Sequence, residues 1–271
     1  MIKALWTGAS GMTTQQTSLD TISNNLANIA TTGYKKETVQ FSSLLYQKLQ
    51  TETTDSEGNA KPVIAQVGLG VRTSGIVSQY TQGTLQETGN PFDLAISGNG
   101  FFMVRMEDGT TAYTRNGSFG LSVGTNGLTL ANAAGYPVLD ANGEEIVVDS
   151  SWNAANLSIS DTGELVYEDA SGNAVMTGKK IGLAQFNNAA GLLKQSGGLL
   201  TETKNSGTPR IEGEDTALKA STIHAGYLEA SNVETAEELV NMIVTQRAYE
   251  MSSKTIQAAD EMLQQANNLK A

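Results

Sequence analysis

The sequence predicts an α+β chain: a discontinuous helical domain made from both termini as a coiled coil, with small, mainly antiparallel β domains inserted between them. Two observations predict it. Residues 5–30 and 236–269 each carry an apolar stripe at helical spacing, and most of the chain between them reads as short strands joined by Gly-rich turns. A third observation narrows the class. No long helical crossovers separate the strands, which argues against a nucleotide-binding α/β sheet.

The amino-terminal helix is carried by Leu5, Met12, Leu19 and Leu26, spaced seven residues apart, with Ile22 and Ile29 filling the intermediate offset. That spacing is a coiled-coil-like seam. From Ala4 to Tyr34 the only charged side chain is Asp20, and Thr, Ser, Asn, Gln and Ala flank the seam where an exposed coiled coil carries Glu and Lys. Such a surface suits a helix packed by several neighbours. Gly8 and Gly11 each weaken a helix interior by roughly 1 kcal/mol, so the first turns are expected to form only on assembly.

In the carboxy-terminal helix Val240, Val244, Ala248, Met251, Thr255, Ala259, Met262, Ala266 and Leu269 step by three or four, and Ile243, Ile256 and Leu263 widen the stripe. Asn232 or Thr235 is the expected cap, with Glu237 and Glu238 in the favourable first turn. Either the two ends pair with each other or they pack into a core shared with other copies.

Between the helices, 41–50 (FSSLLYQKLQ) is expected to prolong the helix or form a short one, and 51–62 is a polar loop. The clearest strands lie in 94–148, followed by a second β segment over about 155–215. The pairs Asn99–Gly100, Asn116–Gly117, Asn126–Gly127 and Asn142–Gly143 are expected to turn tight hairpins with positive φ.

Composition excludes several functions. The 271 residues contain no cysteine, hence no disulfide, thiol nucleophile or thiolate metal site. A net charge of −11 without a basic stripe disfavours nucleic acid. No apolar run is long enough to insert in a membrane, and the start, MIKALWTGASG, lacks the apolar core of a cleavable signal peptide. The single histidine, His224, has no second histidine to build a metal site, and neither a GK[ST] phosphate loop nor a GxSxG elbow occurs. No catalytic residue, cofactor or metal is expected.

Residues 10–36, with Asn24, Asn25, Leu26, Ala27 and Asn28 followed by TTGYK, resemble the amino-terminal signature of the bacterial flagellar rod and hook axial proteins. Residues 231–265 resemble the carboxy-terminal signature, and GNPFDLAISGNGFFMV, YTRNGSF and GYPVL resemble the β landmarks of the same family. Chain length, FSSLLYQKLQ, the polar run after it and VGLGVRTSG lie nearest its distal-rod branch, with another rod component as the alternative and a secreted β-rich hydrolase as the reading from a different class.

The resemblance implies a structural subunit of a rigid hollow helical rod that crosses the periplasm, encloses the export channel and transmits torque to the hook. It implies an amino-terminal axial helix at 1–34, an extended or helical rod-specific linker and insertion at 35–75, an inner β domain at 76–148 with its return at 206–230, an outer β domain at 149–205, and a channel-lining helix at 231–271. Its implied partners are further copies of itself, proximal rod proteins, hook or hook-side axial proteins, the P and L rings, and the type III export apparatus. Assembly residues are expected at Leu5, Met12, Leu19, Ile22, Asn24, Asn25, Leu26, Asn28 and Ile29, and at Val240, Ile243, Val244, Met251, Ile256, Met262 and Leu263. The amides of Asn24, Asn25 and Asn28 are expected to cross-link neighbouring helices. The insertion at about 46–65 is expected to contact adjacent subunits and resist bending.

Overall fold

A computed structural model describes residues 2–49, 66–124, 127–148, 157–168, 174–213 and 218–269. Residues 50–65, which hold most of the expected insertion, lie outside the described residues, as do Asn126 and residues 169–173 of the second β segment. The chain divides into two units, one of residues 1–27, 37–78 and 234–271, the other of 28–36 and 79–233.

In the first unit, α1 (Ile2–Ala27) packs against α2 (Thr235–Asn268), so the two ends of the chain do meet within one molecule. The contact is close because of the two glycines expected to weaken α1. A Cβ on Gly8 would lie 2.8 Å from Ile256 Cγ1, and one on Gly11 would lie 3.1 Å from Ser252 Oγ. Their cost in helix propensity is set against close approach of the partner helix.

The cap of α2 differs from both candidates. Glu234 occupies the N-cap without a side-chain cap bond, Thr235 is the first helical residue, and Asn232 is engaged in the second unit. Glu237 and Glu238 do occupy the first turn.

Residues 41–50 do not extend a helix. β1 (Glu37–Ser43) pairs antiparallel with β4 (Val71–Ser78), and β2 (Tyr46–Lys48) pairs with β3 (Gln66–Gly68). Apolar Phe41, Leu44, Leu45 and Leu49 fit helical spacing equally well, but the extended partners at 66–78 supply ladder hydrogen bonds that a lone short helix lacks.

The second unit holds the remaining strands, and its named ladders are antiparallel. In chain order they are β5 (Leu85–Glu87), β6 (Leu94–Ser97), β7 (Phe101–Arg105), β8 (Thr111–Thr114), β9 (Phe119–Gly124), β10 (Gly127–Asn132), β11 (Val147–Val148), β12 (Leu157–Ile159), β13 (Glu164–Glu168) and β14 (Ala174–Lys180). They continue with β15 (Leu183–Gln185), β16 (Leu193–Lys194), β17 (Leu199–Thr201), β18 (Arg210–Ile211), β19 (Thr222–Ala225) and β20 (Tyr227–Glu229). The largest sheet runs β16-β17-β8-β7-β15-β18, so strands at 183–201 share a sheet with β7 and β8. Smaller sheets run β11-β10-β9 and β12-β13-β14, with β6 paired to β19 and β5 to β20.

β7 explains the core. Successive side chains alternate across a strand; Phe102 and Val104 enter one apolar cluster with Leu94, Leu130, Ile146 and Leu165, while Phe101 and Met103 enter another with Tyr113, Leu139 and Leu200. Burial on both faces makes FFMV a continuous apolar run rather than an alternating one. Among the expected turns, Gly143 has φ 80° and Gly127 φ 135°, whereas Gly100 and Gly117 do not have positive φ. Gly117 is required by proximity, because a Cβ there would lie 1.7 Å from the carbonyl oxygen of Leu94.

Candidate assembly surfaces and a buried ion cluster

α1 handles its polar side chains locally. The hydroxyls of Thr7, Ser10, Thr13, Thr14, Thr17, Thr21 and Ser23 each donate to a carbonyl three or four residues back, at 2.8–3.0 Å. This side-chain-to-backbone bonding satisfies hydroxyls that a neighbour would otherwise have to meet. Some side chains also reach out: Lys3 Nζ donates to Gln47 Oε1 at 2.6 Å, Ser10 Oγ accepts from the Val71 amide at 3.4 Å, and Asn25 makes the buried set. Its Nδ2 donates to the Glu37 carbonyl at 2.8 Å and to Glu238 Oε2 at 3.1 Å, while its Oδ1 accepts from the Glu37 amide at 2.9 Å. One buried amide thus ties the end of α1 to the start of β1 and the first turn of α2.

The remaining amino-terminal candidates divide. Ile22 is buried, Leu5, Met12, Leu19, Leu26, Asn28 and Ile29 are half-buried, and Asn24 is exposed. On α2 the side meeting α1 includes Glu238, Ser252 and Ile256, with Leu263 half-buried. Most of the apolar stripe points elsewhere: Val240, Ile243, Val244, Met251 and Met262 are 50–63% exposed. Ala259, counted in the same stripe, is buried. The 3.6-residue period identified the helix, but the stripe exceeds what α1 covers. α1 itself leaves Trp6 71% exposed.

The second unit contains a polar centre that sequence reasoning missed. Glu229, at the end of β20, is fully buried; its Oε1 lies 2.6 Å from Lys35 Nζ, and its Oε2 lies 3.3 Å from Arg115 Nη1. Lys35 also donates to the Thr81 carbonyl at 2.8 Å, the Gly83 amide donates to Glu229 Oε1 at 2.9 Å, and Arg115 Nη2 donates to the Gly98 carbonyl at 2.7 Å. The Arg115 guanidinium stands 5.0 Å from the centre of the Phe101 ring. Burial pushes both the Lys35 ammonium and the Arg115 guanidinium below their ordinary values, against the pull of Glu229, which raises both. The available signal was the position of these charges inside otherwise uncharged landmarks: Lys35 in TTGYK, Arg115 in YTRNGSF and Glu229 in GYLEAS.

His224 lies on β19 with its ring 6.3 Å from that of Tyr227. Among the described residues no group of three His, Cys, Asp or Glu side chains is placed to hold a metal, and no helix is long and apolar enough to cross a membrane.

Three family descriptions match the chain: "Flagella basal body rod protein" over residues 5–35, "Flagellar hook protein FlgE/F/G D1 domain" over 95–167, and "Flagellar basal body rod FlgEFG protein C-terminal" over 224–269. The flagellar basal-body rod protein FlgG of Borreliella burgdorferi is 40% identical over 271 residues, covering 100% of this chain and 99% of that protein. FlgG of Buchnera aphidicola subsp. Acyrthosiphon pisum is likewise 40% identical, over 99% of this chain and 100% of its own. The chain belongs to the flagellar basal-body rod protein family. This rod protein is a structural component and not an enzyme, which gives its buried ions and exposed stripes an architectural reading. A more distant similarity, 31% over 278 residues, is to the flagellar hook-basal body complex protein FlhP of Bacillus subtilis.

Proposed function

We propose that this rod protein polymerises into the distal segment of the rod, a rigid hollow helical shaft that crosses the periplasm and carries torque to the hook. The observation that supports this reading is the second apolar side of α2, left in water by a molecule that already pairs α2 with α1. A nearly uncharged α1, with seven hydroxyls already bonded to its own backbone, is suited to be the complementary surface, because burying those hydroxyls orphans few donors. Contacts between different surfaces of successive copies generate open helical assemblies. The sixteen expected assembly residues belong to this proposal, as do its partners: proximal rod proteins, hook-side axial proteins, the P and L rings, and the export apparatus that delivers the subunit.

The test uses Val244→Asp and Met251→Asp on the exposed side of α2. Each isolated variant is expected to stay within about 0.5 kcal/mol of the parent in stability, as surface substitutions do. Assembly followed by electron microscopy and light scattering is expected to need at least about 10-fold more protein, because an unpaired carboxylate is poorly tolerated in an apolar contact. Normal filaments at an unchanged concentration would refute the surface.

A further inference from the structure

The ion cluster at Glu229 lies where three separate stretches of the second unit come together. The stretch 28–36 is one, and the Gly33 amide donates to the Glu229 carbonyl at 2.8 Å. The stretch 79–84 is another, and the Gln79 amide donates to the Lys36 carbonyl at 2.8 Å. The third is 229–232: the Ala230 amide donates to the Thr84 carbonyl at 2.9 Å, and Asn232 accepts from the Lys36 amide at 2.7 Å while donating to the Gln79 and Thr81 carbonyls. Gly33, at φ 68°, passes so near Arg115 that a Cβ would lie 2.6 Å from that residue's carbonyl carbon. The passages of the chain between the two units at 27/28, 36/37 and 78/79 begin or end in these stretches, and the fourth, at 233/234, follows the third stretch by one residue.

Two cations and one carboxylate share the site, all of them buried. Without the carboxylate, Lys35 and Arg115 would confront each other in a low-dielectric interior, where like charges repel strongly. The Asn232 amide also joins the first two stretches, but the Glu229 carboxylate bonds the first stretch, the second and Arg115, just past β8, through a single side chain. We infer that Glu229 is a keystone: one buried carboxylate holds the strap 28–36, the segment 79–84 and the return 229–232 as a single base, so that the three hold or release together. This is distinct from an assembly surface, since it acts in the isolated chain and concerns how firmly the connections to the terminal helices are anchored.

The test is amide hydrogen exchange on the full, unassembled chain carrying Glu229→Gln. Removing the negative charge from a buried ion group is disruptive enough to raise local opening at least about 100-fold. The amides of Gly33, Lys36, Gln79 and Gly83 are expected to accelerate as a set, while those of Phe102–Val104 on β7 keep parental protection. Acceleration at Gly83 alone, or equal loss across β7, would overturn the inference. Thermal melting of Glu229→Gln beside the double variant Lys35→Met/Glu229→Gln supplies a second readout that stands even if the single variant unfolds. Deleting the Lys35 cation, which then faces Arg115 without the Glu229 charge, is expected to raise the melting temperature above that of Glu229→Gln alone. A double variant that melts lower, or fails to regain a fold the single variant has lost, shows that the carboxylate acts through packing and not charge. Failure of filament assembly would leave these outcomes unchanged.

Discussion

Tyr113 on β8 is buried among Phe101, Leu139 and Leu200, and its phenol is pushed up to about 12, first by burial and then by the charge of Glu202. The folded chain therefore keeps this proton longer than the unfolded chain, whose phenol ionises at its ordinary value of 10.0. The resulting stability is fully present below pH 10 and is lost as pH climbs from 10 towards about 12. Lys35 contributes with the opposite sign, because its lowered value makes the unfolded chain the better proton acceptor as pH approaches 10.5 from below. Comparing the parent with Tyr113→Phe isolates the phenol. Ultraviolet titration should show a late-ionising phenol that Tyr113→Phe removes, and the variant's unfolding free energy should fall less steeply between pH 10 and 12. Equal alkaline slopes in parent and variant would contradict this assignment.

At the scale of the helices, the crossing of α1 and α2 depends on missing side chains. Gly8→Val gains helix propensity, worth a few tenths of a kcal/mol against glycine, but forces atoms onto Ile256. Overpacking is the larger effect, so a net loss of about 1–3 kcal/mol is expected by thermal unfolding. Ala9→Val, one position along on an exposed site, should change stability by less than about 0.5 kcal/mol. The same crossing shows what a sequence discloses. Two long helices were legible from the spacing of Leu5, Met12, Leu19 and Val240, Val244, Met251, because the helical period is a local property. That Gly8 is a contact and not a weakness was not legible, since Ile256 lies far along the chain. The same limit hid β1 and β2, whose ladders depend on β4 and β3, and hid Lys35 and Glu229, which are 194 residues apart. The assembly candidates Val240 and Ile256 were read as one stripe, although only Ile256 meets α1.

For the molecule as a whole, the β2–β3 ladder gives the insertion expected at about 46–65 a defined root. Lys48 is the register partner of Gln66, so the chain leaves and returns at neighbouring positions. Replacing 49–65 by an Asn-Gly turn therefore suits the two-residue connection that antiparallel strands favour. We propose that the insertion stiffens the polymer through contacts between copies. Electron micrographs of assemblies from the replaced chain are expected to show curved filaments where the parent gives straight ones; equally straight filaments would dismiss the proposal. The hydroxyl pattern of α1 has a consequence for the addition of subunits to such a filament. A subunit arriving from solution exchanges water for protein along this helix, yet Thr13, Thr17 and Thr21 already bond their own backbone. Docking then resembles sliding a coated wire into a cable: the insulation is in place beforehand, and only the surroundings change.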